Sequence, residues 1–406
     1  MKRMLMLASV ASMIEQFNMS NIELLKSMGY EVDVATNFKK GSTFGEDVSS
    51  AFMEKLKSMN IRPFQIDFDR NVFNLGADLK ALKQVEKLVK ENDYSFIHCH
   101  SPIGGVITRI AGHKYGVKVI YTAHGFHFFK GAPIKNWLIY YPIEKHYSRY
   151  TDTLITINHE DFDRASRKFH AKKVEYVPGI GVDTTKFSAN LFSKEELSNI
   201  RSELGIPQDA IWLLSVGELN ENKNHQIVIN ALGKLKQENP DFSSKIYYTV
   251  AGVGIKKDEL NELSQSLGLN DHVKLLGFRK DVAKLCKAAN IFVMPSHREG
   301  LSVALMEAMA SSLPCIVSRI RGNTDLIDEN GGCLFDSHSV ENCLAALKDL
   351  CSLGVEKLKI LGEYNRKKMK HFDIETVQNA VGRIYAEITA DDVYTEMKGG
   401  ASSSNP

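Results

Sequence analysis

Short apolar, β-branched runs alternate with longer amphipathic stretches along this chain, and that alternation restricts the fold more than any other feature. In the first half the runs include MLMLASV, YEVDVAT and KVIYTAH, separated by stretches such as GADLKALKQVEKLVKEN. The pattern is typical of a parallel sheet with helices on both faces. It loosens near residue 180 and resumes with AIWLLSVGEL and KIYYTVAG. The sequence therefore predicts an α/β protein of two Rossmann-like, doubly wound domains, with ligand in the cleft at the strands' carboxyl ends.

The loosening of the pattern sets the predicted domain boundaries. The first domain is expected over residues 1–185 and the second over residues 186–364. The helical pattern at about 365–390 predicts a helix that packs back onto the first domain, and residues 391–406 have the composition of a disordered tail. A chain of 406 residues is long enough for two such cores.

Charge and cysteine content exclude several classes of protein. The formal net charge is +2 and no run of Lys and Arg is long enough for a nucleic-acid surface, so no nucleic-acid partner is expected. The six cysteines form no CxxC pair, which favours buried free thiols in a reducing compartment. The first residues imitate a secretion signal but continue directly into a β-α-β pattern, and no run of about 18 apolar residues occurs. We therefore expect a cytoplasmic protein, with peripheral contact to the inner face of the plasma membrane as an option.

A nicotinamide-dependent dehydrogenase is the usual interpretation of such a pattern, but the dinucleotide fingerprint is missing. The segment after the first strand, ASVASMIEQF, contains no glycine. A later segment has Gly252 and Gly254, but Lys257 stands where the third glycine is needed. The sequence argues against this class of enzyme.

Residues 297–308, HREGLSVALMEA, carry the most informative local chemistry. Seven residues separate Glu299 from Glu307, and the stretch between them turns from loop into apolar helix. Gly300 allows close approach of a ligand to the backbone, and Ser302 is expected to cap a helix that begins at about residue 303. The free amides of Leu301, Ser302 and Val303 would suit a phosphate, and ionised carboxylates accept hydrogen bonds from paired sugar hydroxyls. An ordinary surface helix is the alternative.

At this point the sequence resembles a known family. The stretch is similar to the E-x7-E signature of family 4 retaining glycosyltransferases, which have the GT-B fold. Four groups of segments resemble other family motifs in the same order: PGIGVDTTKF, SVGELNENKN, VAGVGIKKDEL with LLGFRKDV, and SRIRGNTDLI. The N-terminal half resembles capsule and exopolysaccharide members. The resemblance covers most of residues 175 to 335.

The resemblance implies roles for individual residues. Glu299 would bind hydroxyls of the donor sugar, Glu307 the ribose of the nucleotide, and Lys223 the diphosphate. Gly217 belongs to the phosphate-binding loop, and the backbone of Phe278 and Arg279 would lie against the base. The family often has an arginine directly after that glycine, where this chain has Glu218. Arg279, Arg298 and Arg321 are the candidates to replace it, and the sequence does not choose among them.

His124 matches the family histidine that contacts the donor sugar from a strand of the first domain; a purely structural imidazole is the alternative. His98 and His100 form an H-x-H pair, and His124 and His127 form an H-x-x-H pair, which raises the question of a metal site. Residues separated by one position share a face of a strand, so Cys99 would point away from its neighbours. The family implies no metal and no other cofactor.

Residues 126–150 combine many aromatic residues with lysines and arginines. A core helix is one interpretation. The other is a peripheral membrane contact, because Lys130, Lys135 and Lys145 would suit anionic headgroups beside apolar side chains.

The resemblance implies a hexosyltransferase of EC class 2.4. It also implies the acceptor and the pathway: the enzyme would move a sugar from a nucleotide-sugar to a polyprenyl-diphosphate-linked oligosaccharide in capsule or exopolysaccharide assembly. A uridine carrier, with a hexose or N-acetylhexosamine, is favoured over a guanosine carrier because it is common in the family that the sequence resembles. The alternatives are a nucleotide-sugar 2-epimerase, a phosphorylase-like enzyme of the same fold, and a non-catalytic sugar-nucleotide-binding protein.

Overall fold

The chain forms two compact α/β units in a computed structural model that describes residues 2–40, 46–69, 74–188 and 191–399. Unit 1 contains residues up to Ile180 together with those from Val377 onward, and unit 2 contains Gly181–Thr376. Each unit is built on one parallel sheet, of seven strands in unit 1 and six in unit 2. The predicted pair of doubly wound parallel sheets is confirmed.

The sheet of unit 1 has the strand order β3-β2-β1-β4-β5-β6-β7. Its strands are β1 (Arg3–Leu7), β2 (Glu31–Thr36), β3 (Arg62–Gln65), β4 (Tyr94–His100), β5 (Lys118–Ala123), β6 (Thr153–Thr156) and β7 (Lys173–Tyr176). The helices of this unit are α1 (Ala11–Phe17), α2 (Met19–Ser27), α3 (Glu46–Ser58), α4 (Leu75–Glu91), α5 (Pro102–Tyr115), α6 (Ile134–Tyr147) and α7 (His159–Lys168), with a 3-10 turn at Ser148–Tyr150.

The sheet of unit 2 has the order β10-β9-β8-β11-β12-β13. Its strands are β8 (Ile211–Val216), β9 (Ile246–Ala251), β10 (Val273–Gly277), β11 (Ile291–Met294), β12 (Cys315–Ser318) and β13 (Gly332–Phe335). Its helices are α8 (Lys194–Glu203), α9 (His225–Glu238), α10 (Pro240–Ser243), α11 (Lys257–Ser266), α12 (Val282–Ala288), α13 (Val303–Ala310), α14 (Asn323–Leu326), α15 (Val340–Cys351) and α16 (Val355–Lys368).

Strand β1 shows how the sheet of unit 1 is buried on both faces. Met4 and Met6 belong to one apolar cluster, and Leu5 and Leu7 belong to another. Successive side chains of a strand point to opposite faces, so a strand between two helical layers is apolar throughout. The run MLML therefore contributes side chains to two hydrophobic clusters, one on each face of the sheet.

The C-terminal segment differs from its predicted form. One helix was expected at about 365–390, but α16 is followed by a 3-10 turn at Met369–Phe372 and then by α17 (Ile374–Gly399). Val377, Val381 and Tyr385 of α17 pack in the unit 1 cluster that contains Met4 and Met6. The tail expected from residue 391 begins within α17, and residues 400–406 lie outside the described residues.

Candidate active site

Three loops of unit 2 meet at the carboxyl edge of its sheet. They follow β8, β11 and β12, and hydrogen bonds join them. The His297 amide donates to the Asn222 carbonyl over 2.8 Å, and the Asn222 side-chain amide donates to the Arg298 carbonyl over 2.9 Å. Arg321 Nε donates to the Glu299 carbonyl over 3.3 Å. This is the edge at which open parallel sheets bind their ligands.

Two predicted site residues form an ion pair between these loops. Lys223 Nζ lies 2.7 Å from Glu299 Oε1, and both side chains are largely withdrawn from solvent. Asn220 orders the same loop, because its side-chain oxygen accepts from the Lys223 amide over 3.0 Å. Lys223 is therefore held beside Glu299 and does not extend freely into water.

The loop after β8 approaches the loop after β9 so closely that a side chain does not fit. A Cβ on Gly252 would lie 1.8 Å from the Gly217 carbonyl oxygen, and one on Gly254 would lie 2.3 Å from the Leu219 carbonyl oxygen. The Lys223 side chain covers Gly217, because a Cβ added to this glycine would lie 3.4 Å from Cε of Lys223. The two glycines that resemble a dinucleotide fingerprint thus serve this loop-to-loop packing.

Helix α13 begins as predicted, with Ser302 as its N-cap. The Ser302 hydroxyl accepts from the Leu305 amide over 3.4 Å. The preceding loop is supported by Gly322, whose φ is +77° and whose added Cβ would lie 2.3 Å from the Gly300 carbonyl oxygen. The free amides of Ser302 and Val303 therefore occupy the start of a helix whose entry is fixed by its neighbours.

Glu307 lies inside α13 and is only partly accessible to solvent. Burial raises its pKa to about 7, against a smaller lowering effect of Lys186. A partly protonated carboxyl group near neutral pH can both donate and accept hydrogen bonds. Glu307 thus lies in an apolar helix, and its carboxyl group is fully charged only above neutral pH.

The three arginines that could replace the family arginine have different surroundings. Arg279 makes two hydrogen bonds to Asp281, from Nε over 2.8 Å and from Nη2 over 2.7 Å, so its charge is already neutralised. Arg321 is buried against the Glu299 carbonyl. Arg298 is exposed beside the Lys223 loop. Glu218 is exposed as well, and it accepts from the Asn220 side chain over 2.8 Å.

The segment at the predicted base contact follows β10. Phe278 is 71% exposed, which makes it one of the most exposed large apolar side chains in the described part of the chain. Its neighbour Arg279 turns toward Asp281 and Glu203.

In unit 1, His124 follows β5 at the carboxyl edge of the sheet. Its Nε2 lies 3.0 Å from Nδ1 of His100, and burial lowers the pKa of His124 to about 4. His124 also lines a cavity of about 170 Å³ together with Tyr121, Tyr140 and Glu144. His98 is engaged elsewhere, by Tyr385 and Thr122. These contacts place an uncharged imidazole at the wall of the cavity.

The two histidine pairs noted in the sequence do not converge on one point. The rings of His98 and His100 lie 4.3 Å apart on the same face of β4, and Cys99 points to the opposite core. His127 stacks instead on Tyr140 of α6. Within residues 2–40, 46–69, 74–188 and 191–399, no three His, Cys, Asp or Glu side chains form a group that could hold a metal ion.

The aromatic segment of residues 126–150 is divided between core and surface. Phe126 and Phe128 are buried, and Trp137 packs against the same cluster. Ile134 and Leu138 of α6 are 77% and 73% exposed. Trp137 therefore faces the core, whereas its neighbour Leu138 faces solvent. No helix in the part of the chain that the structure describes has the length and apolar character to cross a membrane.

Several residues at these sites were not singled out from the sequence. Asn220 and Asn222 order the Lys223 loop, Gly322 supports the loop before α13, and Met6 contacts the His100 ring behind His124. The asparagine-rich run LNENKN is the only one of these with a local sequence signal, since asparagine is common where side chains bond nearby backbone.

Comparison with known proteins identifies the family to which these sites belong. Residues 197–368 match the family described as "Glycosyl transferases group 1", and residues 4–158 match "Glycosyl transferase 4-like". The chain is 37% identical over 336 residues to the "Putative glycosyltransferase EpsD" of Bacillus subtilis (strain 168), covering 81% of this chain and 82% of that one. It is 31% identical over 282 residues to the Escherichia coli "UDP-Gal:alpha-D-GlcNAc-diphosphoundecaprenol alpha-1,3-galactosyltransferase", covering 68% and 71%.

Solved structures agree at the level of the fold. The Anabaena protein HepE in complex with UDP aligns with a TM-score of 0.73 at 18% identity, covering 95% of this chain and 100% of that one. WaaG, a glycosyltransferase involved in lipopolysaccharide biosynthesis, aligns with a TM-score of 0.69 at 16% identity, covering 95% and 99%. The chain thus belongs to the group 1, family 4-like glycosyltransferases of the GT-B fold, and it is an enzyme of EC class 2.4.

Proposed function

We propose that this enzyme is a retaining transferase that moves a hexose or N-acetylhexosamine from a UDP-sugar to a polyprenyl-diphosphate-linked glycan in capsule or exopolysaccharide assembly. The observation that carries the donor part of the proposal is the Lys223–Glu299 pair at the start of α13. The acceptor part is supported by the name of the 31% identical galactosyltransferase, which specifies a diphosphoundecaprenol-linked sugar.

Each predicted donor-site residue has a role in the proposal. Lys223 and the first amides of α13 bind the diphosphate, since a cation and free helical amides both attract an anion. Glu299 accepts hydrogen bonds from hydroxyls of the donor sugar, and Glu307 accepts them from the ribose. Further residues are assigned to backbone contacts with phosphate, sugar or base: Gly217, Gly300, Leu301, Ser302, Val303, Phe278 and Arg279.

The ion pair also suggests how diphosphate binding begins. A diphosphate that approaches Lys223 competes with Glu299 for the ammonium group, which lies 2.7 Å from the carboxylate. Glu299 is then released toward the sugar hydroxyls. Arg298, exposed on the adjoining loop, is the arginine that we assign to the second phosphate charge.

The proposed reaction proceeds on one face of the sugar. The bond between the anomeric carbon and the UDP oxygen breaks, and a bond from the same carbon to the acceptor oxygen forms on the same side. The acceptor's proton passes to the departing phosphate oxygen. Lys223 stabilises the charge that develops on the diphosphate, and fixed positions of donor and acceptor supply much of the remaining rate.

Contact with the acceptor's membrane is assigned to residues 126–150, on the cytoplasmic side. Ile134 and Leu138 supply an exposed apolar surface, and Lys130 and Lys135 are exposed close by. Replacing Lys130, Lys135 and Lys145 by glutamine should weaken sedimentation with anionic liposomes, while neutral liposomes serve as the control. Unchanged sedimentation with anionic liposomes would contradict this assignment.

Calorimetric titration tests the donor site. UDP, GDP and ADP are titrated into wild-type enzyme and Glu307→Ala, with and without added divalent metal. We expect UDP to bind without metal. At pH 8, where Glu307 is mostly ionised, Glu307→Ala should weaken UDP binding by roughly 1.5 to 3 kcal/mol, the value of a hydrogen bond to a charged group. Equal UDP affinity in a folded Glu307→Ala variant would contradict the ribose assignment.

Turnover separates the transferase from its alternatives. An acceptor requirement excludes a nucleotide-sugar 2-epimerase, and turnover without inorganic phosphate excludes a phosphorylase-like enzyme. UDP binding without turnover on any polyprenyl-diphosphate glycan would favour the non-catalytic protein.

A further inference from the structure

We propose that Met6 and His100 fix the tautomer of His124, so that His124 carries its proton on Nε2 and offers Nδ1 to a ligand as a hydrogen-bond acceptor. The inference deepens the proposed function and rests on it, because the ligand is taken to be a sugar hydroxyl of the donor. Met6 and His100 are positioning residues in this account, and neither touches the substrate.

Three side chains, from β1, β4 and the residue that follows β5, form a continuous line in unit 1. His100 Nε2 on β4 lies 3.3 Å from the Met6 sulfur on β1, and His100 Nδ1 lies 3.0 Å from His124 Nε2 after β5. Met6 and His100 are 0% and 1% exposed, so water does not reach the line from behind. Both nitrogens of His100 are therefore committed to protein atoms.

The thioether decides which nitrogen of His100 carries hydrogen. A methionine sulfur is a weak acceptor and has no hydrogen to donate. If His100 were protonated on Nδ1, the Nε2 lone pair would face the sulfur lone pairs at 3.3 Å in a dry site. With the proton on Nε2 the contact becomes an N–H···S hydrogen bond. His100 is therefore the Nε2–H tautomer, and its Nδ1 is an acceptor.

The state of His124 follows from that of His100. Because His100 Nδ1 accepts, His124 Nε2 must donate across the 3.0 Å contact. A neutral imidazole has one N–H only, so His124 Nδ1 keeps its lone pair. Burial lowers the pKa of both rings, so neutral imidazoles are expected at physiological pH.

The neighbouring histidine does not disturb this arrangement. His98 lies close to His100, but its Nδ1 is 2.8 Å from the Tyr385 hydroxyl and its Nε2 is 2.8 Å from the Thr122 hydroxyl. Both of its nitrogens have partners of their own. The site at His124 consequently selects a ligand group that donates a hydrogen bond, which a sugar hydroxyl does and an ionised phosphate does not.

The tautomer can be measured directly by NMR. The full-length enzyme is labelled with ¹⁵N-histidine, and two-bond ¹H–¹⁵N correlations report which ring nitrogen of each neutral histidine is protonated. His124→Gln and His100→Asn identify the two sets of signals by their disappearance. We expect Nε2–H for both rings without substrate. An Nδ1–H signal for His124 would overturn the proposal.

Matched variants test the line through its two positioning residues. In His100→Asn the amide oxygen can replace Nδ1 as acceptor, whereas His100→Leu removes the acceptor. Met6→Leu removes the sulfur, and Met4→Leu, on the same buried strand, is its control. We expect about a tenfold rise in donor KM for His100→Leu, the loss of about one hydrogen bond, and recovery in His100→Asn. We expect both tautomers of His124 in the spectrum of Met6→Leu, and only the Nε2–H tautomer in that of Met4→Leu.

The outcomes separate this proposal from the proposed function. The tautomer is read without substrate, so an enzyme that has Nε2–H at His124 but does not turn over UDP-sugars contradicts the donor assignment alone. Conversely, turnover of a UDP-sugar with unchanged tautomers and KM in Met6→Leu and His100→Leu contradicts the positioning line alone. If His100→Leu does not fold, Met6→Leu and the wild-type spectrum still decide.

Discussion

The candidate sites of the two units are built from different chemistry at the same place in the fold. Both lie where loops leave the carboxyl edge of a parallel sheet. In unit 2 the central feature is a pair of opposite charges, Lys223 and Glu299, held by loops. In unit 1 it is a line of imidazoles whose pKa values burial has lowered. The difference indicates that one edge is suited to a charged diphosphate and the other to neutral hydroxyls.

Unit 1 also contains a pair of opposite charges, but this pair is buried and its expected role is in stability. Arg109 and Glu144 are 0% and 5% exposed, with Nη2 and Oε2 separated by 2.8 Å. Glu144→Gln should lower the free energy of unfolding by about 3 to 5 kcal/mol, because the arginine charge stays buried without a partner. Urea denaturation followed by circular dichroism measures the loss.

Glu86→Gln is the control for that experiment, since Glu86 pairs with the exposed Lys114 and should contribute far less. Equal losses in the two variants would show that the Arg109–Glu144 pair is not a structural element of unit 1.

Lys223→Ala tests the charged edge of unit 2. Removal of the ammonium group should lower kcat by about 100- to 1000-fold, as expected when one group that stabilises a developing anion is lost. Steady-state kinetics with a saturating UDP-sugar measures the change. Lys234→Ala serves as a control, because Lys234 pairs with Glu341 on another surface of the unit. A kcat within a few fold of the wild-type value would show that Lys223 does not take part in the reaction.

Gly322→Ala tests whether the charged edge depends on fixed loops. The added methyl group meets the Gly300 carbonyl at 2.3 Å, and φ of +77° is unfavourable for alanine. We expect a loss of about 1 to 3 kcal/mol in unfolding free energy together with weaker UDP binding. Gly354→Ala, where an added Cβ meets nothing within 4 Å, should leave both quantities unchanged. Wild-type UDP affinity in Gly322→Ala would mean that the loop tolerates displacement.

Glu307 provides the most specific effect, because it depends on pH. Its pKa is raised to about 7 in the folded protein and returns to roughly 4.3 on unfolding. Between these values the folded state binds more protons, so this residue makes stability fall as pH rises toward 7. Glu307→Gln should therefore melt at a higher temperature than wild type at pH 8, with the difference vanishing near pH 4. A difference that does not depend on pH would contradict this effect of burial.

The sequence predicts elements better than it predicts partners. Central strands and the Ser302 cap follow from local patterns and are present. The local pattern does not predict strands β3 and β13, which are short edge strands: RPFQ contains proline, and GCLF begins with glycine.

Contacts between distant residues could not be derived from the sequence in the same way. Lys223 pairs with Glu299, which lies 76 positions away in the sequence, and Met6 contacts His100, which lies 94 positions away. The choice among three arginines likewise depended on which of them already had a buried or ionic partner. Only the folded chain supplies that information.

The return of α17 to unit 1 has a consequence for synthesis on the ribosome. Tyr385, the partner of His98, is made 287 residues after it, and Val377 and Val381 cover core residues from the first strand. Part of one hydrophobic face of the N-terminal sheet thus stays uncovered while unit 2 is translated, although residues of α1, α2 and α3 already belong to the same cluster. Any truncated product that lacks the last helix retains the donor-side residues but exposes the core of unit 1. The core of unit 1 is therefore complete only after α17 has been synthesised.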